Sequence, residues 1–248
     1  MSAYTKIWLL GLITIFIASG PAFGQFNDSI NHYIYIGSTG TYSKTNDLNS
    51  YVLANNVKFT VSKKRFSFYT ANSWVYGKQS EVTSNNDFSS LVEFDFLKNE
   101  KRLYYWGNGT FDKSYSLKID YRYQAGAGLG FNIVKNDKVL LNVTEGILYE
   151  EGSLIDKDLG DRNYDVWRNS ARFKYRWVIQ DIVILDGFVL YQPSISSRHD
   201  TIFKSATTLS VKVRKWISLS SALTYNEITL TDRRNLIVTY GVIMERFF

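Results

Sequence analysis

Tyr115, Leu117, Ile119, Tyr121, Tyr123, Ala125, Ala127, Leu129 and Phe131 share one parity along the chain. Ser116, Lys118, Asp120, Arg122, Gln124, Gly126, Gly128 and Gly130 take the other. Successive side chains of an extended backbone point to opposite sides, so a period of two held this long predicts a strand with one apolar and one polar face. The same alternation sets Trp167, Ala171, Phe173, Tyr175 and Trp177 against Arg168, Ser170, Arg172, Lys174 and Arg176. It returns at the C-terminus with Leu236, Val238, Tyr240, Val242, Met244 and Phe248. Carried through the chain, the pattern predicts about twelve strands, near 31–42, 50–61, 65–77, 87–97, 101–111, 115–133, 138–150, 164–177, 181–192, 201–213, 216–227 and 235–248.

The connections alternate in length. Ser62-Lys63-Lys64, Lys98-Asn99-Glu100, Lys135-Asn136-Asp137, Ile179-Gln180 and Arg214-Lys215 are tight, while 43–49, 78–86, 151–163, 193–200 and 228–234 are longer and polar. Asp112-Lys113-Ser114 is a short connection on the long-loop side. Short turns on one side and long loops on the other predict an all-β, transmembrane, antiparallel up-and-down barrel, with short turns in the periplasm and long loops outside the cell. A Lys or Arg at mid-depth against hydrocarbon costs roughly 2–4 kcal/mol, so the charged parity must face the lumen and the Tyr/Leu/Ile parity the lipid. Trp177 and Trp216 fall at short-turn ends and Trp74, Tyr76 and Trp167 near long-loop ends, as two aromatic girdles require. The soluble alternative is a sandwich or lipocalin-like barrel, whose apolar face would point inward.

Composition supports this reading. Two Pro, 18 Tyr and 16 Phe in 248 residues favour long strands, and the absence of Cys removes a disulfide framework. Residues 1–24 carry Lys6, an apolar run from Ile7 to Ala18 and a small-residue site at Ala22-Phe23-Gly24, the pattern of a signal peptide. A short segment, 25–30, would then lead into one barrel domain over 31–248. Basic residues exceed acidic ones, giving net charge +6. They are spread over lumen and turns without an aromatic–basic groove, which disfavours nucleic acid and suits anionic outer-membrane lipid and lipopolysaccharide as neighbours.

The inward parity supplies the candidate chemistry: Glu93, Asp95, Lys118, Asp120, Arg122, Arg168, Arg172, Lys174, Arg176 and, in the same set, Asp186. Such charges either pair into a network that fills and stiffens the barrel or line a water-filled channel and set its selectivity. Twelve strands fit both, and both stay open here. Gly126, Gly128 and Gly130 lie on the lumen face of a strand, where they allow bending or make room for bulky residues opposite. No catalytic residue, cofactor or metal site is expected. His32 and His199 are the two histidines; His199-Asp200 beside Ser196 and Ser197 is the nearest approach to a hydrolase's parts, and adjacent residues rarely face one another as a triad requires. Asp156-Lys157-Asp158-Leu159-Gly160-Asp161 is similar to the start of a calcium loop, but Trp167 stands where a bidentate Glu is needed. A lipid- or lipopolysaccharide-modifying enzyme, or a protein binding through the loops at 78–86 and 151–163, are the alternatives to a structural or porin-like barrel.

Two resemblances add to this. The terminal Phe248, with apolar residues at alternate positions before it, resembles the signal read by barrel-assembly machinery. The run Asp120-Tyr121-Arg122-Tyr123-Gln124-Ala125-Gly126-Ala127-Gly128-Leu129-Gly130-Phe131, with Gly37-x-x-Gly40 near the start, resembles the bacterial "salt-induced outer membrane protein" family, an uncharacterised family. The resemblance implies a Gram-negative outer-membrane barrel and supplies no catalytic residue. Oligomeric state does not follow from it.

Overall fold

The computed structural model describes residues 31–45, 48–99, 101–156, 160–197 and 199–248. The expected signal peptide and the segment 25–30 lie outside them. Twelve strands follow one another: β1 (His32–Thr45), β2 (Leu48–Ser62), β3 (Phe66–Gln79), β4 (Val82–Phe96), β5 (Leu103–Ser114), β6 (Ile119–Lys135), β7 (Val139–Asp156), β8 (Gly160–Ile179), β9 (Val183–Pro193), β10 (Thr201–Arg214), β11 (Ile217–Ile228) and β12 (Arg233–Phe247). Each pairs antiparallel with the next, and β1 pairs with β12, so the sheet closes into a barrel with no free edge. Closure runs from Tyr33 opposite Phe247 to Gly40 opposite Tyr240. At its end His32 and Phe248 exchange both backbone hydrogen bonds, at 2.9 and 3.0 Å. We call this the terminal end of the barrel and the opposite one the distal end.

The faces are divided as a lipid-embedded barrel requires. Leu53, Val57, Leu129, Ile147, Leu219, Leu236 and Val238 stand exposed on the outside. Toward the terminal end the outside carries Phe66, Phe94, Phe96 and Trp177, and toward the distal end Trp74, Tyr123, Trp167 and Tyr191. Of the aromatics expected at the two ends, Trp177, Trp74 and Trp167 are exposed on the outside. Inside, Gln124, Asn142, Thr144, Ser170, Gln192, Ser218 and Thr239 are buried.

The strands outrun their predicted bounds at the distal end. The expected loop at 78–86 is ladder except for Ser80 and Glu81, a two-residue turn with both φ positive, at 48° and 65°. The expected loops at 43–49 and 151–163 are likewise mostly strand, since β1 reaches Thr45 and β7 reaches Asp156. Polar composition there reports water around the strands rather than loss of pairing; backbone groups outside the bilayer still gain from a hairpin ladder. Asp112, Lys113 and Ser114, expected as a connection, belong to β5, and the turn is Tyr115–Lys118.

Candidate functional site

The middle of the lumen carries buried charged side chains. Arg168 on β8 is fully buried and donates from Nε and Nη2 to the Glu150 carboxylate of β7, at 2.9 and 3.0 Å. Its Nη2 also donates to Asp200, at 2.9 Å. Glu150 accepts further bonds from the Tyr164 hydroxyl, at 2.8 Å, and from the Gln124 amide. Gln124 donates in turn to Gln192, at 3.3 Å, and Gln192 to Ser170, at 3.1 Å. Beside this group Arg122 of β6 pairs with Asp112, its register partner on β5. A buried charge is tolerable only when paired and hydrogen-bonded, and each of these is.

Two ion pairs run across the lumen rather than along its wall. Lys204 of β10 reaches Asp112 of β5 at 3.4 Å. Closer to the terminal end, Glu93 of β4 is held by Arg172 at 2.7 Å and Lys174 at 3.2 Å, both on β8. Strands four and five apart in the ring are joined only through the lumen. Next to this layer Asp95 pairs with Lys98 in the β4–β5 turn. Burial acts to lower the Lys98 pKa, but Asp95, Tyr104 and Glu93 outweigh it and hold the ammonium above its ordinary value.

Beyond the charges, toward the distal end, Leu117, Ile119, Leu154, Ile202 and Ile228 pack into an apolar cluster with Tyr164 against it. These residues come from β6, β7, β10, β11 and the β5–β6 turn. The turn is tied to both sides. Ser116 bonds Asp87 of β4 through its hydroxyl, at 2.7 Å, and accepts from Asn235 of β12, at 3.1 Å.

The glycines make room for aromatic rings. A Cβ on Gly130 would fall 2.1 Å from the Tyr104 ring, which is buried and donates to Asn142 at 3.1 Å. A Cβ on Gly146 would fall 2.6 Å from the Trp106 ring, whose Nε1 donates to the Leu129 carbonyl at 3.1 Å. Gly128 sits between them, opposite Trp106 on one strand and Gly146 on the other. Gly126 lies where a Cβ would meet Leu148 at 2.6 Å.

A family model described as a protein of unknown function, DUF481, matches residues 38–234. The chain belongs to the DUF481 family. No curated protein matches it in sequence. Among solved structures the DUF481 barrel is similar to the translocator domain of the autotransporter NalP from Neisseria meningitidis, with 12% identity and a TM-score of 0.53 over 98% of this chain and 95% of that one. It is similar to the NanC porin, with 11% identity and a TM-score of 0.50 over 87% of this chain and 99% of that one. An outer membrane channel from Pseudomonas putida F1 gives 9% identity and a TM-score of 0.51 over 93% and 100%. Identities this low speak for the fold alone, and that fold is the outer-membrane β-barrel. The family's description names no biochemical role and no response to salt.

Within the DUF481 barrel the predicted lumen residues separate into three groups. Glu93, Asp95, Arg122, Arg168, Arg172 and Lys174 lie in the paired layers described above. Arg176 and Asp186 line a chamber at the terminal end. Lys118 and Asp120 are not in the lumen network. Lys118 closes the β5–β6 turn with φ 58° and its ammonium lies 4.8 Å from the Tyr115 ring centroid. Asp120 pairs with the exposed Lys113 at 3.0 Å. The cause is a pair of bulges, one between Asp112 and Ser114 and one between Ile119 and Tyr121, which break the alternation. The same bulges turn Leu117 and Ile119, expected to face lipid, into the buried distal cluster. Phe248 is exposed and its ring stacks on His32 at 5.6 Å.

Several network members escaped the sequence reading. Asp112 falls in an expected connection, Glu150 at the end of an expected strand and Asp200 in an expected loop. Lys204 could have been found, because it shares the inward parity of Ala206, Thr208 and Ser210. Asp200 turns its carboxylate to Arg168, and the His199 carbonyl accepts from Thr229 at 2.7 Å, so no His199–Asp200 dyad forms. Residues 157–159 of the calcium-like stretch lie outside the described residues.

Proposed function

We propose that this protein resides in the outer membrane as a barrel whose resting lumen is shut, with a structural or gated passive-transport role and no catalysis. The observation that carries this reading is the pair of cross-lumen bridges, Lys204–Asp112 and Arg172/Lys174–Glu93, with the apolar cluster beyond them. An open channel would solvate those charges separately and would not place Ile202, fully buried, in its path. The signal peptide at 1–24 would take the chain across the inner membrane, and assembly machinery would read Phe248. Lipid and lipopolysaccharide would then surround the barrel, with the terminal end in the periplasm. The enzymatic reading is weakened by the engagement of Asp200 with Arg168 rather than His199. Binding through long surface loops is weakened because 78–86 and 151–163 are largely hairpin.

Planar-bilayer recording tests the proposal. The folded full-length protein, checked by its heat-dependent gel mobility, is expected to give no steady unitary current. Ohmic unitary conductance from the unaltered protein would refute the shut lumen.

A further inference from the structure

Polar side chains stand on the outer wall of β1–β4 at positions where the alternation calls for apolar ones. Ser38 of β1, Asn55 of β2, Asn72 of β3 and Ser90 of β4 share the outward parity of Ile36, Leu53, Trp74 and Phe88, all of which are exposed. The ladders set Ser38 opposite Asn55, and Asn72 opposite Ser90. Asn55 and Asn72 lie one outward step apart across the β2–β3 ladder, since Asn72 is opposite Val57. The polar positions therefore form one band across neighbouring strands. Along each strand the band falls in the middle of the outward series. Asn55 lies between Tyr51 and Phe59, Ser90 between Phe88 and Phe94, and Asn72 between Phe66 and Phe68 on one side and Trp74 and Tyr76 on the other. Aromatic residues mark the rims of the apolar belt, so the band sits within the hydrocarbon.

Hydrocarbon offers no hydrogen bond, so a polar group exposed to it is costly unless the protein or a partner satisfies it. Elsewhere on the outer wall the chain meets that condition itself. Asn169 donates to Glu145, the Trp74 indole donates to Asn86 at 3.1 Å, and the Tyr175 and Thr207 hydroxyls bond one another. In the band the Ser38 hydroxyl donates to Asn55 Oδ1 at 2.9 Å. The Asn55 amide nitrogen and the whole Asn72 amide have no hydrogen-bond partner among the described residues.

The unsatisfied groups select the partner. A side-chain amide holds two N–H donors and one carbonyl acceptor, so two identical amides complement each other through reciprocal N–H···O bonds. Two copies of a barrel enter the membrane the same way round. A two-fold axis relating them then runs along the membrane normal, and a residue on that axis meets its own counterpart. Amide side chains draw helices together inside membranes by the same bonds. We infer that the outer wall of β1–β4 is the contact face of a homodimer, with the Asn72 side chains of two copies bonded to each other and Asn55 beside them in the contact. This inference rests on the lipid-embedded placement proposed above and is independent of whether the lumen is shut.

The test reconstitutes the full-length chain into phospholipid vesicles and follows energy transfer between donor- and acceptor-labelled copies as the protein is diluted into lipid. The signal is expected to follow a monomer–dimer equilibrium. N72L places a lipid-compatible side chain on the wall and is expected to weaken the dimer at least tenfold while heat-dependent gel mobility stays normal. N55L is expected to weaken it in the same direction. The chain has no cysteine, so single-cysteine variants map the face. N72C is expected to give a disulfide-linked dimer under mild oxidation. V189C, exposed on β9 across the ring from β3, is expected to give none. The proposal is overturned if the inserted protein stays monomeric at the highest protein-to-lipid ratio, if N72L and N55L both associate as the unaltered protein does, or if V189C crosslinks as readily as N72C. A trimer or larger ring would overturn it too, because no two-fold axis would pass through Asn72. Inserted but monomeric protein would refute this face alone, whereas folded protein that urea washes off the vesicles would refute the membrane placement and this face with it.

Discussion

Replacing Arg168 with Leu is the severest test of how the lumen is held. Arg168 is fully buried and meets two carboxylates, Glu150 and Asp200, through three charge-assisted bonds of 2.9–3.0 Å. Among the described residues, Leu removes the only cation bonded to either. Glu150 keeps its bonds from Tyr164 and Gln124, but Asp200 keeps no ion pair among the described residues. Breaking a buried pair from one side costs about 3–5 kcal/mol, because the stranded charge loses its partner without regaining water. For a chain of this size about 1 kcal/mol moves Tm by roughly 2–4 °C, so a fall of about 6–20 °C is expected. Equilibrium denaturant unfolding of the protein in lipid vesicles, followed by tryptophan fluorescence, measures the loss directly. A second arm sharpens it. R168L combined with E150L should recover part of the loss, since an apolar pair of similar volume removes the stranded Glu150 carboxylate. A loss below about 1 kcal/mol for R168L alone would refute the reasoning, because it would mean that water already solvates these carboxylates.

Two further substitutions probe other parts of the lumen. G130A forces a Cβ into the Tyr104 ring and should destabilise the barrel by about 1–3 kcal/mol, while the same change in a Y104A background should cost little; equal costs in both backgrounds would sink the steric account. I202A removes a fully buried side chain from the distal apolar cluster and should cost about 2–5 kcal/mol in the same unfolding assay, whereas a change under ~0.5 kcal/mol would show that the cluster is not packed.

Most of the barrel was legible in the sequence because alternation is a local property. Each strand shows one face to lipid and one to the lumen, so parity alone placed Arg168, Arg172 and Lys174 inside and Leu236, Val238 and Tyr240 outside. The regular rhythm of turns set the strand number, and the penalty for charge in hydrocarbon decided which face was which. The reading failed where alternation itself broke. The bulges around the β5–β6 turn moved Lys118 and Asp120 out of the lumen series and carried Leu117 and Ile119 into the buried distal cluster. No composition signal marks a bulge between polar residues that alternate without a flaw.

The partners of the inward charges were decided by closure alone. Lys174 meets Glu93 from 81 residues away, and Lys204 meets Asp112 from 92. Parity fixes the direction in which a side chain points; which charge it faces depends on the curvature of the closed sheet, which sets β8 against β4 and β10 against β5. The sequence by itself therefore determined a twelve-stranded barrel with a charged interior. Which of those charges pair with one another depended on distances across the lumen, which exist only once the twelfth strand has returned to the first.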